Sequence, residues 1–528
     1  MSVKPWHKFI PEGNPKEIQI PELSLGDLFL ETVNKYPRHT AITFMGKTFD
    51  YQTVYAYAKQ VAAYFQDVGI KKGDQIALML PNCPQYVFSY FGAMFAGATV
   101  VQVNPMYKEQ ELMHVLKDSE AAAIIAYEPL MPIVNNVLPD TSVEHSYSVS
   151  FTNPSDYEQL IQHQLEYQPV HIQPKEDVAV LQYTGGTTGR SKGAMLTHYN
   201  IVANTLQSAA TAESQINKGE ERVLVISPLF HVYGMTSGMC LTFRMGGNLI
   251  LLPRFEVEET VKTMQELQPT SFPGVPTMFI AILNYAREHN IDLGFLETVT
   301  SGSAPLSADV LTNFEETTGA SIAEGYGLSE ASPVTHRNPV EGVQKAGSIG
   351  IPIPNTDSKV VDLDTGTEEL PIGEVGELVI KGPQIMKGYW NMPDETAQTV
   401  RDGWLYTGDL AKMDEDGFFY IVGRKKEMII ASGFNIYPIE IETVLYQNPK
   451  VLEAAVIGIP DPYRGETIKA VVSLKEGQSA TEEEIINFCK ERLSNFKVPT
   501  SVDFIEEFPK TAVGKILKRE LKDQYISN

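Results

Sequence analysis

Short apolar runs alternate with longer amphipathic stretches up to about residue 348 of the chain. The apolar runs include residues 75–80, 121–126, 223–227 and 247–252. Between such runs, residues 51–68 and 257–267 carry apolar side chains at the three- and four-residue spacing of a helix with one buried face. Because strands that alternate with helices form parallel sheets, this pattern predicts α/β subdomains in the large N-terminal part of the chain.

After about Ser348 the amphipathic stretches give way to short runs in which apolar and polar residues alternate. These runs cover residues 358–362, 376–381 and 418–422. Gly, Pro and Asp residues separate them, as they separate the strands of antiparallel sheets. A β-rich subdomain is therefore predicted to follow the α/β subdomains.

The last hundred or so residues have the pattern of a separate small α+β unit. A helix, two strands and a second helix are predicted, in this order, over residues 439–446, 451–459, 468–474 and 481–493. Thr481 and Glu484 form the capping-box signature of a helix start, which supports the second helix.

Arg424, Lys425 and Lys426 are three consecutive cations that precede this small unit, and an apolar strand follows them. Such a run fits a hinge between domains, although a solvated charge cluster has the same composition. We predict a large domain over residues 1–425 and a small mobile domain over residues 426–528, with the hinge near Lys426.

Residues 86–103 contain no charge and are long enough to suggest a transmembrane helix. Gly92 and Gly97 interrupt the stretch and a β-branched run follows, so a buried helix, a turn and a strand is the better interpretation. The N-terminus also lacks the apolar segment of a signal peptide. We therefore expect no transmembrane segment and a cytoplasmic protein.

The net charge of the chain disfavours one class of partner, nucleic acid. The chain carries 42 basic and 66 acidic residues, a net charge of −24. A protein this acidic repels nucleic acid, so we expect no nucleic-acid partner, and any phosphate site must be a local positive pocket. Cys83, Cys240 and Cys489 are widely spaced and odd in number, which favours reduced thiols over a disulfide framework.

Residues 183–193, Tyr-Thr-Gly-Gly-Thr-Thr-Gly-Arg-Ser-Lys-Gly, have the composition of a loop that wraps a polyphosphate. Glycines let backbone N–H groups turn toward a ligand, hydroxyls donate further hydrogen bonds, and Arg190 and Lys192 supply positive charge. The run is not a Walker A loop, which requires Lys directly after its last Gly. An ordinary surface loop is the alternative for this run taken alone.

Further runs combine small, hydroxyl and charged residues: Ser-Gly-Ser-Ala-Pro at 301–305, Glu-Gly-Tyr-Gly-Leu-Ser-Glu at 324–330, Asp-Gly-Trp-Leu-Tyr-Thr-Gly-Asp at 402–409 and Pro-Lys-Thr-Ala-Val-Gly-Lys-Ile at 509–516. The small residues of the first could lie against a flat ring. Glu330 offers the oxygen ligand that Mg²⁺ prefers, and Asp409 could accept bonds from two vicinal hydroxyls. Taken singly, each run also fits a turn or a solvated charge.

Together, in this order and spacing, the runs resemble the acyl-adenylate-forming superfamily, which includes acyl-CoA synthetases, coumarate-CoA ligases, luciferases and peptide-synthetase adenylation domains. The resemblance extends from about Leu25 to Lys518. It implies an ATP- and acid-binding adenylation domain and a small C-terminal domain that carries the catalytic lysine. Glu427 stands where many relatives carry Asp after the hinge, a conservative difference.

The resemblance assigns roles residue by residue. For the β- and γ-phosphates of ATP it implies Thr184, Gly186, Thr187, Thr188 and Lys192. For adenine and the α-phosphate it implies Gly302, Ser303, Ala304, Tyr326, Gly327 and Ser329. For Mg²⁺ it implies Thr184 and Glu330, and for the ribose hydroxyls Asp409 and Arg424. For catalysis it implies Lys515, His231 and Lys192.

The run 228–235, Pro-Leu-Phe-His-Val-Tyr-Gly-Met, resembles the fatty-acyl-CoA synthetases within that superfamily. By this resemblance the acyl pocket is formed by His231, Tyr233, Phe272, Gly274, Val275 and Gly325. The run has no Asp to pair with an amino group, so activation of amino acids is disfavoured. The CoA tunnel is assigned to Ser432, Gly433 and Phe434. The sequence shows no serine-centred phosphopantetheine motif of a carrier domain, so we expect free CoA as the acceptor.

We therefore expect a fatty-acid–CoA ligase of medium- to long-chain specificity that uses ATP, Mg²⁺ and CoA. It activates the acid to acyl-AMP, releases pyrophosphate and transfers the acyl group to CoA. Two alternatives stay open: an aryl-acid (coumarate-like) CoA ligase, and a non-catalytic regulator that binds nucleotide or acyl-CoA. A homodimer and contact with a membrane surface are also open.

Overall fold

The structure, a computed structural model, describes residues 4–184, 191–302, 308–431, 434–511 and 514–526. These residues separate into two compact units. The first holds the chain up to residue 357 together with 380–405, and the second holds 358–379 and 406 onward. The predicted domain boundary between residues 425 and 426 lies within the second unit, so the hinge at Lys426 stays a prediction about motion.

The first unit contains two sheets whose central strands are parallel. In spatial order the strands of the first sheet are Ile351–Pro352, Val334–Arg337, Ile322–Gly327, Thr298–Ser301, Ser271–Gly274, Arg222–Val225, Asn248–Leu251, Thr40–Phe44 and Lys47–Asp50. Those of the second sheet are Gly388–Tyr389, Lys192–Thr197, Val178–Thr184, Thr99–Gln102, Gln75–Met79, Ala123–Tyr127 and His145–Val149. Antiparallel pairs occur only toward the edges among these strands. The expected α/β architecture is therefore confirmed.

Helices lie between the strands along the chain, and most of them bury apolar side chains. The helices of the first unit are Leu25–Lys35, Tyr51–Asp67, Pro84–Ala96, Glu109–Ser119, Met131–Val137, Glu158–Ile161, His198–Ala210, Leu241–Met245, Val257–Leu267, Pro276–His289, Ala308–Thr318 and Pro393–Thr399. A π-helix covers Tyr233–Cys240. The side chain of Asp50 accepts a hydrogen bond of 2.7 Å from the backbone N–H of Thr53, which fixes the start of the second helix.

The charge-free stretch 86–103 forms the buried helix, turn and strand that its sequence predicts. Helix Pro84–Ala96 ends at Gly97, whose φ of 75° is the left-handed conformation that glycine adopts readily, and strand Thr99–Gln102 follows. Among the described residues, no helix is both long enough and apolar enough to cross a bilayer.

A five-stranded sheet follows in the chain, as the alternating pattern predicts, and Val400–Arg401 and Phe419–Arg424 both pair with Trp404–Met413 in antiparallel fashion. Its strands, in spatial order, are Asp357–Val361, Gly376–Lys381, Trp404–Met413 and Val400–Arg401, with Phe419–Arg424 also paired to Trp404–Met413. Lys425, Lys426 and Glu427 form a turn that leads out of this sheet.

The rest of the second unit is the predicted α+β arrangement. Its strands are Phe434–Ile436, Ile429–Ala431, Gly465–Leu474 and Val451–Asp461, with Ser501–Phe504 also paired to Gly465–Leu474. Its helices are Pro438–Tyr446, Glu482–Lys490 and Lys518–Ile526. The capping box at Thr481 is present, because its hydroxyl accepts from the N–H of Glu484 and the carboxylate of Glu484 accepts from the N–H of Thr481.

Candidate active site

Two paired strands hold the ends of the phosphate-type loop together. Strand Val178–Thr184 ends at Thr184, strand Lys192–Thr197 begins at Lys192, and these two residues are partners in the antiparallel register. The loop itself, with Gly186, Thr187 and Thr188, lies outside the described residues. Thr184 and Lys192 are therefore neighbours at one edge of the second sheet.

Lys192 belongs to a cluster that also contains Glu330. The ammonium of Lys192 forms an ion pair with Glu395 and lies 5.3 Å from the ring centre of Tyr389. The hydroxyl of Tyr389 donates a hydrogen bond of 2.7 Å to Oε1 of Glu330. Burial and the charge of Glu330 raise the pKa of Tyr389, so its hydroxyl stays protonated. The structure thus brings together the predicted phosphate-binding lysine and the predicted metal-binding acid.

The cluster has the chemistry of a Mg²⁺ site that substrate completes. No group of three or more His, Cys, Asp or Glu side chains in the described part of the chain could hold a metal ion by itself. Mg²⁺ commonly binds through one or two carboxylates together with water and substrate phosphates, and keeps much of its hydration shell. Glu330, in the short turn Ser329–Ala331, fits that mode of binding.

Tyr233 packs against glycine at the carboxyl end of a central strand. Its hydroxyl lies 3.1 Å from the carbonyl oxygen of Thr300 and 3.3 Å from that of Gly274. A Cβ atom at Gly302 would lie 3.3 Å from the ring of Tyr233, so the ring covers the glycine directly. Burial raises the pKa of Tyr233 to about 12. Ser303 and Ala304, which follow Gly302, lie outside the described residues.

The strand Ile322–Gly327 carries the next group of predicted residues. Gly325 and Tyr326 pair with Arg337 and His336 of the adjacent strand, and the Tyr326 and His336 ring centres are 6.1 Å apart. A Cβ atom at Gly327 would lie 2.4 Å from a backbone oxygen of Pro333, so only glycine fits there. The strand ends just before Ser329 and Glu330.

The remaining predicted pocket residues divide into two groups. Nδ1 of His231 accepts a hydrogen bond of 3.2 Å from the N–H of Tyr233, which keeps His231 close to the tyrosine. The side chain of Phe272, by contrast, is fully buried in a core cluster, where it packs edge-to-face on Phe279. Val275, also buried, precedes helix Pro276–His289. The Phe272 side chain therefore packs in the core, and its part in the acyl pocket stays a prediction.

In the second unit, Asp409 and Arg424 are partners across two antiparallel strands. Nε of Arg424 lies 3.3 Å from Oδ1 of Asp409, and Nη1 lies 3.8 Å from Oε1 of Glu427. Burial, followed by the charge of Arg424, lowers the pKa of Lys515 to about 8, which puts Lys515 within electrostatic reach of this group. These four residues thus form one charged cluster, although Lys515 lies far from the other three in the sequence.

Lys518, three residues after Lys515, has a different environment. Its ammonium lies 3.2 Å from Glu427 and 2.7 Å from Glu442, and both carboxylates are mostly buried. These neighbouring carboxylates raise the pKa of Lys518 in spite of its burial. Lys518 is therefore held by structural ion pairs.

Phe434, the described member of the predicted CoA group, lies on the surface of the second unit. Its side chain is 53% exposed and stacks on Phe496, with ring centres 4.9 Å apart. Ser432 and Gly433 lie outside the described residues. An exposed aromatic pair offers an apolar platform for the stem of a ligand.

Comparison with known proteins identifies the family. The sequence model described as AMP-binding enzyme matches residues 29–390, and that of the AMP-binding enzyme C-terminal domain matches residues 440–515. The chain belongs to the AMP-binding enzyme family. The long-chain-fatty-acid–CoA ligase of Bacillus subtilis strain 168 is 44% identical over 100% of this chain and 99% of its own length.

Two further relatives show the breadth of the family. A feruloyl-CoA synthase of Amycolatopsis is 35% identical over 95% of this chain and 99% of its own length. The crystal structure of ATP-bound MatB from Rhodopseudomonas palustris superposes with a TM-score of 0.88 at 30% identity, and covers 95% of this chain and 99% of that one. Relatives with different names therefore match 95% of this chain, one by sequence and one by structure.

Sequence reasoning missed two members of the Lys192 cluster. Tyr389 and Glu395 lie in a short strand and a short helix about 200 residues after Lys192, and neither belongs to a run with obvious ligand chemistry. The pairing of Tyr389 with Ala194, two residues after Lys192, brings them to the site, together with a backbone hydrogen bond of 2.8 Å from Met386 to Glu330. A sequence signal that could have found them is the pair of acids, Asp394 and Glu395, at a helix start that follows an aromatic strand.

Proposed function

We propose that this chain is an AMP-forming ligase that joins a medium- to long-chain fatty acid to CoA. The observation that supports it most directly is the cluster in which Lys192, Tyr389 and Glu330 meet at the end of the phosphate-type loop. Activation of an acid by ATP requires three parts: a loop whose N–H groups bind the phosphates, a cation, and a carboxylate that binds Mg²⁺. The curated relative at 44% identity carries the name of this activity.

The first half-reaction forms a mixed anhydride. One oxygen of the fatty-acid carboxylate attacks the α-phosphorus of ATP, the bond to the β-phosphate oxygen breaks, and pyrophosphate leaves with acyl-AMP remaining. Both reactants are anions, so cations must reduce their repulsion and hold the attacking oxygen in line with the leaving group. We assign this to Lys515 and Lys192, with His231 beside the carboxylate. Mg²⁺ held by Glu330 and Thr184 would neutralise charge on the phosphates.

The other assignments follow the same proposal. The β- and γ-phosphates are bound by the loop after Thr184, the α-phosphate by Ser329, adenine by Gly302 with Tyr326, and the ribose hydroxyls by Asp409 with Arg424.

The second half-reaction transfers the acyl group to the thiol of CoA. The thiolate sulfur attacks the acyl carbonyl, the bond to the AMP oxygen breaks, and a thioester and AMP result. We propose that residues after the hinge at Lys426 move between the two steps, so that Lys515 serves only the first and Phe434 serves the second. Adenylation and thioester formation would then each use a different set of side chains.

An aryl-acid ligase is the second candidate. The feruloyl-CoA synthase relative supports it, as does the aromatic ring of Tyr233, a residue predicted to line the acyl pocket. The deciding experiment measures ATP-dependent pyrophosphate release with acids from acetate to oleate and with coumarate, each with and without CoA. We expect the highest kcat/KM between C8 and C18, with AMP formed and turnover stimulated by CoA. A maximum with coumarate would support the second candidate, and ATP binding without release for any acid would indicate a non-catalytic regulator.

Gly325 provides a test of the acyl pocket. A Cβ atom there would lie 3.2 Å from the carbonyl oxygen of His336, so little space remains for a side chain on this strand. We expect Gly325→Trp to shorten the longest acid that is activated and Gly325→Ala to shift it less, because added volume blocks the channel in proportion to its size. Pyrophosphate release across the same acids measures both. An unchanged chain-length profile in the Trp variant that still releases pyrophosphate would exclude Gly325 from the pocket wall.

The cellular setting is part of the same proposal. Cys83, Cys240 and Cys489 are free and buried, and burial raises the pKa of each thiol, to about 12, 12 and 11. Buried free thiols suit the reducing cytoplasm. Homodimer formation and membrane-surface contact, our remaining expectations, are tested by light scattering and by sedimentation with phospholipid vesicles.

A further inference from the structure

Gly302, Gly325 and Arg337 lie side by side on three neighbouring strands of the first sheet. The register pairs Ser301 with Glu324, which sets Gly302 beside Gly325, and Gly325 pairs in turn with Arg337. Residues opposite each other on adjacent strands present their side chains to the same face of a sheet. The ring of Tyr233 covers the Gly302 end of this row. Neither glycine adds a side chain to this face, and the part of the face between Tyr233 and Arg337 is called the slot below.

The guanidinium of Arg337 has hydrogen-bonding capacity to spare. Nη1 donates a bond of 3.0 Å to the hydroxyl of Thr211, whereas Nε is buried without a partner among the described residues. The side-chain stem runs along the strand pair, with Cγ 3.8 Å from the position of a Cβ atom on Gly325. Burial lowers the pKa of Arg337 to about 10, so the group remains charged at neutral pH. A cation is thus held against the slot, and no carboxylate in the described part of the chain forms an ion pair with it.

Arg337 is a partly buried cation whose Nε is fully buried. Leaving that Nε without an acceptor is costly, because it loses hydration that nothing replaces. An apolar residue at this position would avoid that cost. We therefore infer that Arg337 binds a ligand that provides the missing hydrogen-bond acceptor. A guanidinium binds oxygen acceptors, and carboxylates most strongly. Tyr233 and Gly325 belong to the acyl pocket as predicted from the sequence, so the ligand in reach of Arg337 is the acyl group.

The position of Arg337 points to a part of the acid remote from the reacting carboxyl group. Ser329 and Glu330, assigned to the α-phosphate and Mg²⁺, follow the carboxyl end of strand Ile322–Gly327, whereas Arg337 lies opposite Gly325. The strand continues for two residues after Gly325, which correspond to about 7 Å, and Ser329 follows beyond its end. The positive charge is therefore displaced from the site of phosphoryl transfer.

We propose that Arg337 is a specificity-determining residue that binds an oxygen acceptor on the acyl group, so that acids carrying a hydroxyl, oxo or second carboxylate group are preferred to unsubstituted chains of equal length. The proposal rests on the function proposed above and names the substrate class more narrowly. A second carboxylate is the strongest match for an unpaired guanidinium. A phenolic or methoxy oxygen on an aryl acid would use the same contact.

The test compares acids that differ only in an added oxygen. Dodecanoate is paired with its ω-carboxy derivative and with its mono-hydroxy derivatives at successive carbons, and kcat/KM is measured from pyrophosphate release. We expect the wild-type enzyme to prefer at least one oxygenated acid by roughly 10- to 100-fold, the usual effect of a charge-assisted hydrogen bond. Arg337→Met should remove that preference while the value for dodecanoate stays the same or rises. Arg337→Lys should retain part of it.

Two further variants keep the result interpretable. Arg287→Met removes an exposed arginine, bonded to Asn313 and Thr317, and should leave the preference unchanged. Thr211→Val keeps the charge of Arg337 but removes the hydrogen bond that orients its guanidinium. This variant should reduce the preference for oxygenated acids by less than Arg337→Met does. It also provides a test of the proposal if Arg337→Met does not fold. The proposal would be overturned if the preference for oxygenated acids persisted in Arg337→Met and in Thr211→Val. It would also be overturned if these variants lowered kcat/KM equally for every acid. A wild-type enzyme that releases no pyrophosphate with any acid would instead refute the proposed ligase.

Discussion

Lys515→Ala should slow pyrophosphate release by roughly 10²- to 10³-fold at saturating ATP and fatty acid, the usual effect of deleting one preorganised electrostatic contact. The carboxylate and the α-phosphate repel each other, and a lysine between them offsets that repulsion most in the transition state. Transfer of the acyl group from supplied acyl-AMP to CoA should remain close to the wild-type rate. The two half-reactions are measured separately, as pyrophosphate release and as thioester formation.

The pKa of Lys515 adds a pH signature to this prediction. Burial lowers that pKa to about 8, so the protonated, active form is lost as the pH rises through this value in the unliganded enzyme. We expect kcat/KM for adenylation to decline above about pH 8. An arginine stays protonated throughout this range, so Lys515→Arg should move the decline to higher pH even if its maximal rate is lower.

Lys522→Ala is the matched control for Lys515→Ala. Lys522 lies on the neighbouring helix Lys518–Ile526, and its ammonium forms an ion pair of 3.0 Å with Glu466. A partly exposed ion pair of this kind contributes little, so both half-reactions should be unaffected. Equal slowing of the two half-reactions in Lys515→Ala would contradict the assigned role, because it would mean that Lys515 supports the fold or both reactions alike.

Local signals in the sequence were sufficient for most of the fold. The charge-free stretch 86–103 became a helix, a turn and a strand because Gly97 can take the left-handed conformation that ends the helix. The helix after Thr481 begins where its capping box predicts. These features depend on residues within a few positions of one another, and such information is readable from one sequence.

Contacts between distant segments were not readable in this way. The link from Lys192 through Tyr389 to Glu330 depends on the pairing of a two-residue strand with Lys192–Thr197. The slot between Tyr233 and Arg337 depends on the register of three strands, and Arg337 stands in no motif. The resemblance likewise assigns Phe272 to the acyl pocket without indicating that its side chain also packs in a core cluster. Strand register decides which face a residue occupies, and a shift of one residue reverses it.

Glu330→Gln should lower adenylation by about 10²-fold at limiting Mg²⁺, the upper part of the range for altered metal sites. The amide keeps the size of the side chain and can still accept the hydrogen bond from Tyr389, which is 2.7 Å long in the native protein. What the variant loses is the negative charge, which binds a hard divalent cation. The Mg²⁺ concentration for half-maximal pyrophosphate release should therefore rise, and excess Mg²⁺ should restore part of the rate.

Tyr389→Phe separates the charge of Glu330 from its orientation. This variant removes the hydroxyl that holds Glu330 but leaves the carboxylate and the ring beneath Lys192. We expect a loss of only a few-fold, because the carboxylate can still bind the cation. A metal ligand cannot lose its charge without a change in metal affinity. If Glu330→Gln and Tyr389→Phe slowed adenylation equally and neither changed the Mg²⁺ dependence, Glu330 would therefore act by organising the cluster around Lys192.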